Sequence, residues 1–514
     1  MSTTVMILLA LLIVYIPIYI WTWKSPNAIR YGFQKYGPLI KINTKLGLKL
    51  MDRLGKYRRF WRFFGIASQV FAFVEMVFMV FMIVFSVIRI PSILQSHSSL
   101  GVEYVLALPG LNPIMPFWYT LLALIIAVVL HEFAHGVQTR ANGMKVENTG
   151  GLYCVVPVGA FVEPDQTDVD RCSRTAKLDL FSAGISANFI IAGVAFLLFS
   201  VVMLGGMTNQ YEDNAAIYGE VEGSPADIAG IPSGAIILSM NGQAVLYEDF
   251  DDPVKMSAVR GPFYLVTITY VQDGSGVATT SAAIPWGMYI SKLADDSPAG
   301  KAGLSKGDTI VKMNDTEVFT SSQFTDYMKT TSKGETVTIT YVDANNAVQT
   351  TTAVLEENGN KGYGYLGVYT STSGLNLLTP SQVLDKARNP LYGVDSLTDL
   401  PQALMGYLTM PYSGFDPLPS SIQWWYGDYN AFFWSFLELL YWLFWLNILL
   451  GITNALPAVP FDGGYIFQGW VDRLLERIGV KDAEKRDKQA AEITKNVSTL
   501  FLFAFVLIIV VAII

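Results

Sequence analysis

The sequence predicts a polytopic α-helical membrane protein of about six transmembrane helices, interrupted by an inserted extramembrane module of α+β or all-β type. Three observations predict it. Hydrophobic residues make up 52% of the 514 residues, charged residues only 15%, and mean hydropathy is +0.37, a balance more apolar than soluble domains carry. Apolar runs long enough to span a bilayer occur at 4–22, 66–90, 115–138, 177–205, 431–452 and 496–514. Between the fourth and fifth runs lies a long polar stretch, 206–430, that contains an internal repeat.

The first run is apolar from Val5, lacks a basic leader and a small-residue cleavage site, and is expected to be a retained helix. The loop that follows is strongly basic: Arg30, Lys35, Lys41, Lys45, Lys49, Arg53, Lys56, Arg58 and Arg59 stand against Asp52 alone. By the positive-inside rule this loop is cytosolic. Both termini and 206–430 are then extracytosolic, while 139–176 and the basic Arg473–Lys495 stretch are cytosolic. Tryptophans and tyrosines from Trp424 to Trp445 crowd the start of the fifth span, as in an interfacial aromatic belt. The two cysteines, Cys154 and Cys172, fall on the cytosolic side and are expected to be free thiols. A net charge of −8 with no basic arm gives no sign of nucleic-acid contact.

The third run carries His131, Glu132 and His135 as H-E-x-x-H. On a helix the two histidines share a face one turn apart and can hold one metal ion, with Glu132 able to reach a bound water. Intramembrane ionisable groups are costly and mark function. From Pro116 to His131 is fifteen residues, about 22 Å of helix, which places the histidines roughly 8 Å inside the cytosolic edge of a ~30 Å hydrocarbon layer. The third histidine of the chain, His97, falls in the loop on the opposite side and cannot join them. A catalytic zinc takes three protein ligands and keeps an open position, so the third is Asp, Glu or Cys. Asp462 is the leading candidate: it follows the fifth span after two chain-breaking prolines, at the depth of His135. Glu147, Glu163 and Cys154 remain rivals. The stretch GGLYCVVPVGAFVE, 150–163, is β-branched and broken by glycines. It is expected to form one or two short strands at the membrane edge, whose free edge could hold an extended substrate. Asn188, in the fourth span, needs a polar partner.

In the outer stretch, 223–245 aligns with 296–318, Ser224 matching Ser297 at a period of 73 residues. The shared pattern S-P-A…A-G-[IL]…G-x-x-I resembles PDZ domains of the kind attached to proteases. That resemblance implies two PDZ-like domains, at 214–283 and 284–370, that take peptides or C-termini by strand addition or act as a size filter. The stretch 371–430 has no clean period and is expected along the membrane surface.

Three motifs together carry a further resemblance: the H-E-x-x-H helix, A-G-x-x-A-N from Ala183 to Asn188, and N-x-x-P…D-G at Asn454, Pro457, Asp462 and Gly463. The chain resembles the site-2 protease family of intramembrane zinc metallopeptidases. The resemblance implies one Zn2+ per chain bound by His131, His135 and Asp462, Glu132 as general base, and Asn188 and Asn454 beside the metal as oxyanion or backbone holders. The implied substrates are membrane-anchored proteins cut in or near their transmembrane segments. The expected layout is 1–110 N-terminal helices with the basic loop, 111–206 catalytic helices, the PDZ-like pair, the 371–430 connector, and 431–514 with the Asp ligand and last helix. The alternative is a non-catalytic scaffold that binds exported proteins through its PDZ-like pair; a buried Glu132 is superfluous there.

Overall fold

The computed structural model describes residues 3–95, 109, 112–273, 276–280, 282–357, 362–413 and 418–513. His97 lies outside them. The chain divides into two compact units, one built from residues up to Met203 and from Asn430 onward, the other from Leu204 to Met410 and its continuation to Tyr429.

The first unit is helical: α1 (Thr3–Lys24), α2 (Leu48–Gly55), α3 (Arg58–Gln95), α4 (Phe117–Ala141), α5 (Arg174–Leu197), α6 (Ala431–Asn454), α7 (Asp462–Arg477) and α8 (Ala483–Ile513). All but α2 and α7 belong to the six segments long and apolar enough to cross a membrane. On α3, Ala72, Met76, Met79 and Ile83 are buried at helical spacing while Phe63, Val70, Phe81 and Ile88 on other faces are exposed. A helix apolar all round suits lipid, not water. Helices α4, α5 and α6 come close because their facing positions are small. Ala123 and Ala127 on α4, and Ala183, Ala192 and Ala195 on α5, are all buried, and a side chain at Gly451 of α6 would collide with the Phe189 ring. Small residues let helix backbones approach where lipid supplies no hydrophobic drive.

The expected strands at 150–163 form a hairpin, β3 (Val146–Cys154) and β4 (Val156–Pro164). It extends into a four-stranded antiparallel sheet, β1-β2-β3-β4, whose first two strands, β1 (Phe33–Tyr36) and β2 (Leu39–Thr44), come from the basic loop. That loop is therefore more than a charged tether. Its run from Ile40 to Thr44 pairs with β3, Ile42 opposite Gly151. Gly150 is required at the crossing, since a Cβ there would lie 2.1 Å from the Ile42 carbonyl oxygen. β4 is the edge strand.

The second unit is organised by one antiparallel sheet. Its main strands, beside two two-residue ones, are β5 (Ala216–Glu220), β6 (Ile236–Met240), β7 (Ile268–Gln272), β8 (Gly276–Thr279), β9 (Met288–Leu293), β10 (Thr309–Met313), β11 (Thr336–Val342), β12 (Val348–Val354), β13 (Val368–Thr372) and β14 (Leu375–Leu378). They run in the order β8-β7-β6-β5-β14-β13-β9-β10-β11-β12. The 73-residue repeat is visible atom by atom. Ser224 and Ser297 each cap a short helix. Asn241 and Asn314 both adopt φ +49°, and each accepts a 2.8 Å hydrogen bond through Oδ1, from the Thr267 and Thr338 amides.

The stretch around 370 opens with a strand pair. The hairpin β13–β14 carries one strand to each repeat: Val368 pairs with Leu293 of the second, Leu375 with Glu220 of the first. Gly367 and Gly374 (φ +77° and +87°) lie against Ser297 and Ser224, where a Cβ would come within 2.4 and 2.1 Å of the serine Cβ atoms. The expected boundary at 370 thus falls inside β13. Arg260 stitches the repeats: its side chain is fully buried and pairs with Glu317 at 3.1 Å. It also donates to the Trp286, Val311 and Val318 carbonyls and lies over the Phe319 and Tyr264 rings. Burial lowers its guanidinium to about 10, against the pull of Glu317.

Candidate metal centre

His131 and His135 lie on the buried face of α4, 6% and 9% exposed, with their Nε2 atoms 3.0 Å apart. Asp462 opens α7, and its Oδ2 sits 3.2 Å from both Nε2 atoms. Among the described residues this is the group of His, Cys, Asp and Glu donors close enough to hold one ion. The rivals are engaged elsewhere or lie apart. Glu163 meets Lys41 and Asn148, and Glu147 and Cys154 sit on β3 outside the group.

The surroundings hold these donors in place. His135 Nδ1–H donates to the Leu180 carbonyl at 2.7 Å, which leaves the Nε2 lone pair facing Asp462. The fully buried Asn188 side-chain amide lies 3.0 Å from His131 Nδ1. The contact is through Asn188 Nδ2, while its buried Oδ1 has no partner; turning the amide over would give Oδ1 the ring Nδ1–H and put His131 in the same tautomer as His135. Such outer partners commonly orient metal-binding imidazoles. Gly184 lets α5 pass the histidines, because a Cβ there would lie 2.4 Å from His135 Nε2 and 2.6 Å from His131 Cε1. Asp462 is delivered by a broken segment whose Val459 amide donates to Ser498 Oγ of α8 at 3.0 Å. Gly463 and Gly464 press on the preceding turn, with no room for a Cβ against Ala455, Leu456 and Ala458.

Two Nε2 acceptors and a carboxylate oxygen, mutually within 3.2 Å and buried, repel one another unless a proton or a cation lies between them. Asp462 Oδ2 finds no ordinary hydrogen-bond donor. Nitrogen, nitrogen and oxygen donors in this set suit Zn2+. Glu132 is one residue from His131, and its Oε2 accepts from the Val162 amide of β4 at 2.9 Å. It borders a cavity of about 1000 Å³ that also touches His135 and Asp462 and is lined further out by Arg174, Lys177, Asp472 and Arg486. Water can therefore reach the donors from a charged mouth.

The structure brings His131, Glu132, His135, Asp462 and Asn188 together. Asn454 stands at the end of α6, where its side-chain nitrogen donates to its own Leu450 carbonyl at 3.1 Å. The Leu180 carbonyl, the Val162 amide and Ser498 were not singled out from the sequence. The first two are backbone groups without a side-chain signature, and an isolated serine on an apolar helix is an ordinary helix contact.

The family model of peptidase family M50 matches residues 119–505, a span that holds every donor just described. The chain belongs to peptidase family M50. This is the site-2 protease family that its motifs resemble, and with six membrane-length helices it is a membrane protein. The M50 chain is 32% identical over 209 residues to an uncharacterized protein of Methanocaldococcus jannaschii, covering 40% of this chain and 53% of that one. It is 26% identical over 204 residues to the zinc metalloprotease Rip1 of Mycobacterium tuberculosis, covering 31% and 49%. It thus spans about half the length of the curated relatives it matches. Among solved structures it is similar, at 27% identity, to PDZ domains of SdrC-like proteins from Listeria monocytogenes and Listeria innocua. Those matches cover 16% of this chain and 86% and 92% of theirs, with a TM-score of 0.15.

Proposed function

We propose that this M50 chain is a zinc-dependent intramembrane endopeptidase that hydrolyses a peptide bond in or near the transmembrane segment of membrane-anchored proteins. One observation carries the reading: the His131, His135 and Asp462 donors converge at 3.0–3.2 Å, and Glu132 opens beside them into the same water-accessible cavity. His131, His135 and Asp462 would hold one zinc ion per chain, with Glu132 and Asn188 completing the site. When bound, zinc supplies Lewis-acid polarisation of the scissile carbonyl and acidifies water.

The chain's own residues do the rest. Glu132 takes a proton from the attacking water and returns it to the leaving amine. The Leu180 carbonyl keeps the His135 imidazole in the metal-donor tautomer, and Asn188 would do the same for His131 with its amide oxygen turned to the ring, so neither competes for that proton. A substrate helix must unwind before its peptide bonds are accessible, and the outer edge of β4 can re-satisfy the freed backbone groups by strand addition. Substrates that tolerate Gly, Asn or Pro near the cut unwind at lowest cost. The basic β1–β2 segment supports a catalytic site near the cytosolic face, with both termini and the repeats extracytosolic. The β13–β14 hairpin supports a nested pair of PDZ-like domains, the second inserted into the first. That pair would receive peptide segments or exclude bulky outer domains.

The test is cleavage of a tagged single-span reporter by the full-length protein in liposomes, beside Glu132→Gln and a chelator. Cleavage lost in both controls supports the reading. Equal cleavage with Glu132→Gln overturns it, and a protein that neither cleaves nor binds zinc is the scaffold.

A further inference from the structure

A second cavity, of about 400 Å³, lies on the other side of Glu132. One wall is a stripe of α4 that includes Leu124 and Val128 and reaches Glu132 and Phe133. The others include Ile42, Met51 and Phe161 from the sheet side. Glu132 is its one charged lining residue, and the Thr44 and Thr149 hydroxyls there bond each other at 3.1 Å. Apart from Glu132, these hydroxyls, that of Tyr153 and the outward edge of β4, the lining presents apolar side chains. Glu132 and Val162 line both this groove and the charged vestibule. An apolar space and an aqueous one thus meet at the catalytic carboxylate.

From Leu124 to Glu132 is eight residues, about 12 Å along the helix. An extended peptide covers that length in about four residues at ~3.3 Å each, and its alternate side chains point the same way. The Val162 amide faces Glu132, away from β3, so the outward positions of β4 are Val162 and, two residues earlier, Ala160. A strand laid along that edge sends every second side chain toward α4. We infer that this groove is the specificity subsite of the peptidase, taking two large apolar side chains, two residues apart and on one side of the scissile bond, from the unwound transmembrane segment. The inference rests on the endopeptidase reading. It commits to a substrate side chain because the general base borders the groove and the pairing edge of β4 forms its wall.

The experiment uses full-length protein in nanodiscs and a single-span reporter whose cut is mapped by mass spectrometry. Each reporter position within four residues of the cut is changed to Ala and to Asp. The expected result is a drop in kcat/KM of roughly ten-fold or more for Ala at two positions of one parity on one side, larger for Asp. Val128→Phe narrows the groove and should reduce the Leu-over-Ala preference at one of them about ten-fold. Leu124→Ala, which only removes bulk, should shift preference toward Phe or Trp at the other. Zinc content equal to the parent shows that each variant retains its centre. An unaltered preference in both zinc-loaded variants overturns the inference. So does a uniform loss of kcat/KM for every reporter, the result expected if the groove holds a lipid chain. A parent that cuts no reporter overturns the endopeptidase reading itself, and the subsite with it.

Discussion

The two units bury charge in opposite ways. In the helical unit, two imidazole nitrogens and a carboxylate oxygen face one another at 3.0–3.2 Å, and Asp462 Oδ2 has no ordinary donor. In the sheet unit, the buried Arg260 charge is met by Glu317, three backbone carbonyls and two rings, though its Nε, like Asp462 Oδ2, has no hydrogen-bond partner. Buried polar groups that satisfy one another hold a fold together. Acceptors gathered with nothing to accept hold a place for something else. What differs is charge: Arg260 faces an opposite charge, whereas the three donors of the helical unit face only one another.

Breaking the site end of the contrast should give the largest effects. Glu132→Gln should lower reporter cleavage by about 10²–10⁴-fold while zinc content, read by mass spectrometry of the intact protein, stays that of the parent. Asp462→Ala should instead lose the metal, which distinguishes base from ligand. Gly184→Ala introduces a methyl 2.4 Å from His135 Nε2. Displacing that ring should cost about 10²-fold in turnover, and an undiminished rate would show that α5 can yield there. Asn188→Ala should weaken zinc affinity about 10–100-fold in a competition titration with a chelating dye. If affinity holds and only kcat falls, the amide acts on the substrate instead of on His131. At the staple end, Arg260→Ala removes the cation opposite Glu317 and should lower the unfolding free energy of the sheet unit by about 3 kcal/mol. Cleavage per zinc-loaded molecule should be unchanged; a loss of zinc in that variant would break the distinction between the units.

Much of this was legible in the residues. The six apolar segments follow from hydropathy, because lipid selects composition along the chain locally. H-E-x-x-H locates two donors by helix geometry alone, and the 73-residue period locates the repeats. The sheet joining the basic loop to the 146–164 hairpin was not legible. Lys41 marks a basic loop by charge, whereas its strand pairing with Leu152 depends on a partner more than a hundred residues away. The hairpin after 370 is the same case, two short strands whose pairing belongs to different repeats. Asn188 and Asn454 had equal standing in the sequence. In the fold, the first reaches His131 and the second turns back on its own helix.

By itself, then, the sequence determined which segments are membrane-length, where the repeats lie, and which side chains can carry metal and proton chemistry, because each is written in composition or fixed spacing. Only the tertiary structure decided that Asp462 meets the two histidines, that Leu180 and Asn188 occupy their outer nitrogens, and that a β4 amide holds Glu132 between an apolar groove and a charged vestibule. Those relations join residues tens to hundreds of positions apart. Close packing around small residues such as Gly184 and Gly463, not any local pattern, brings them within ångströms.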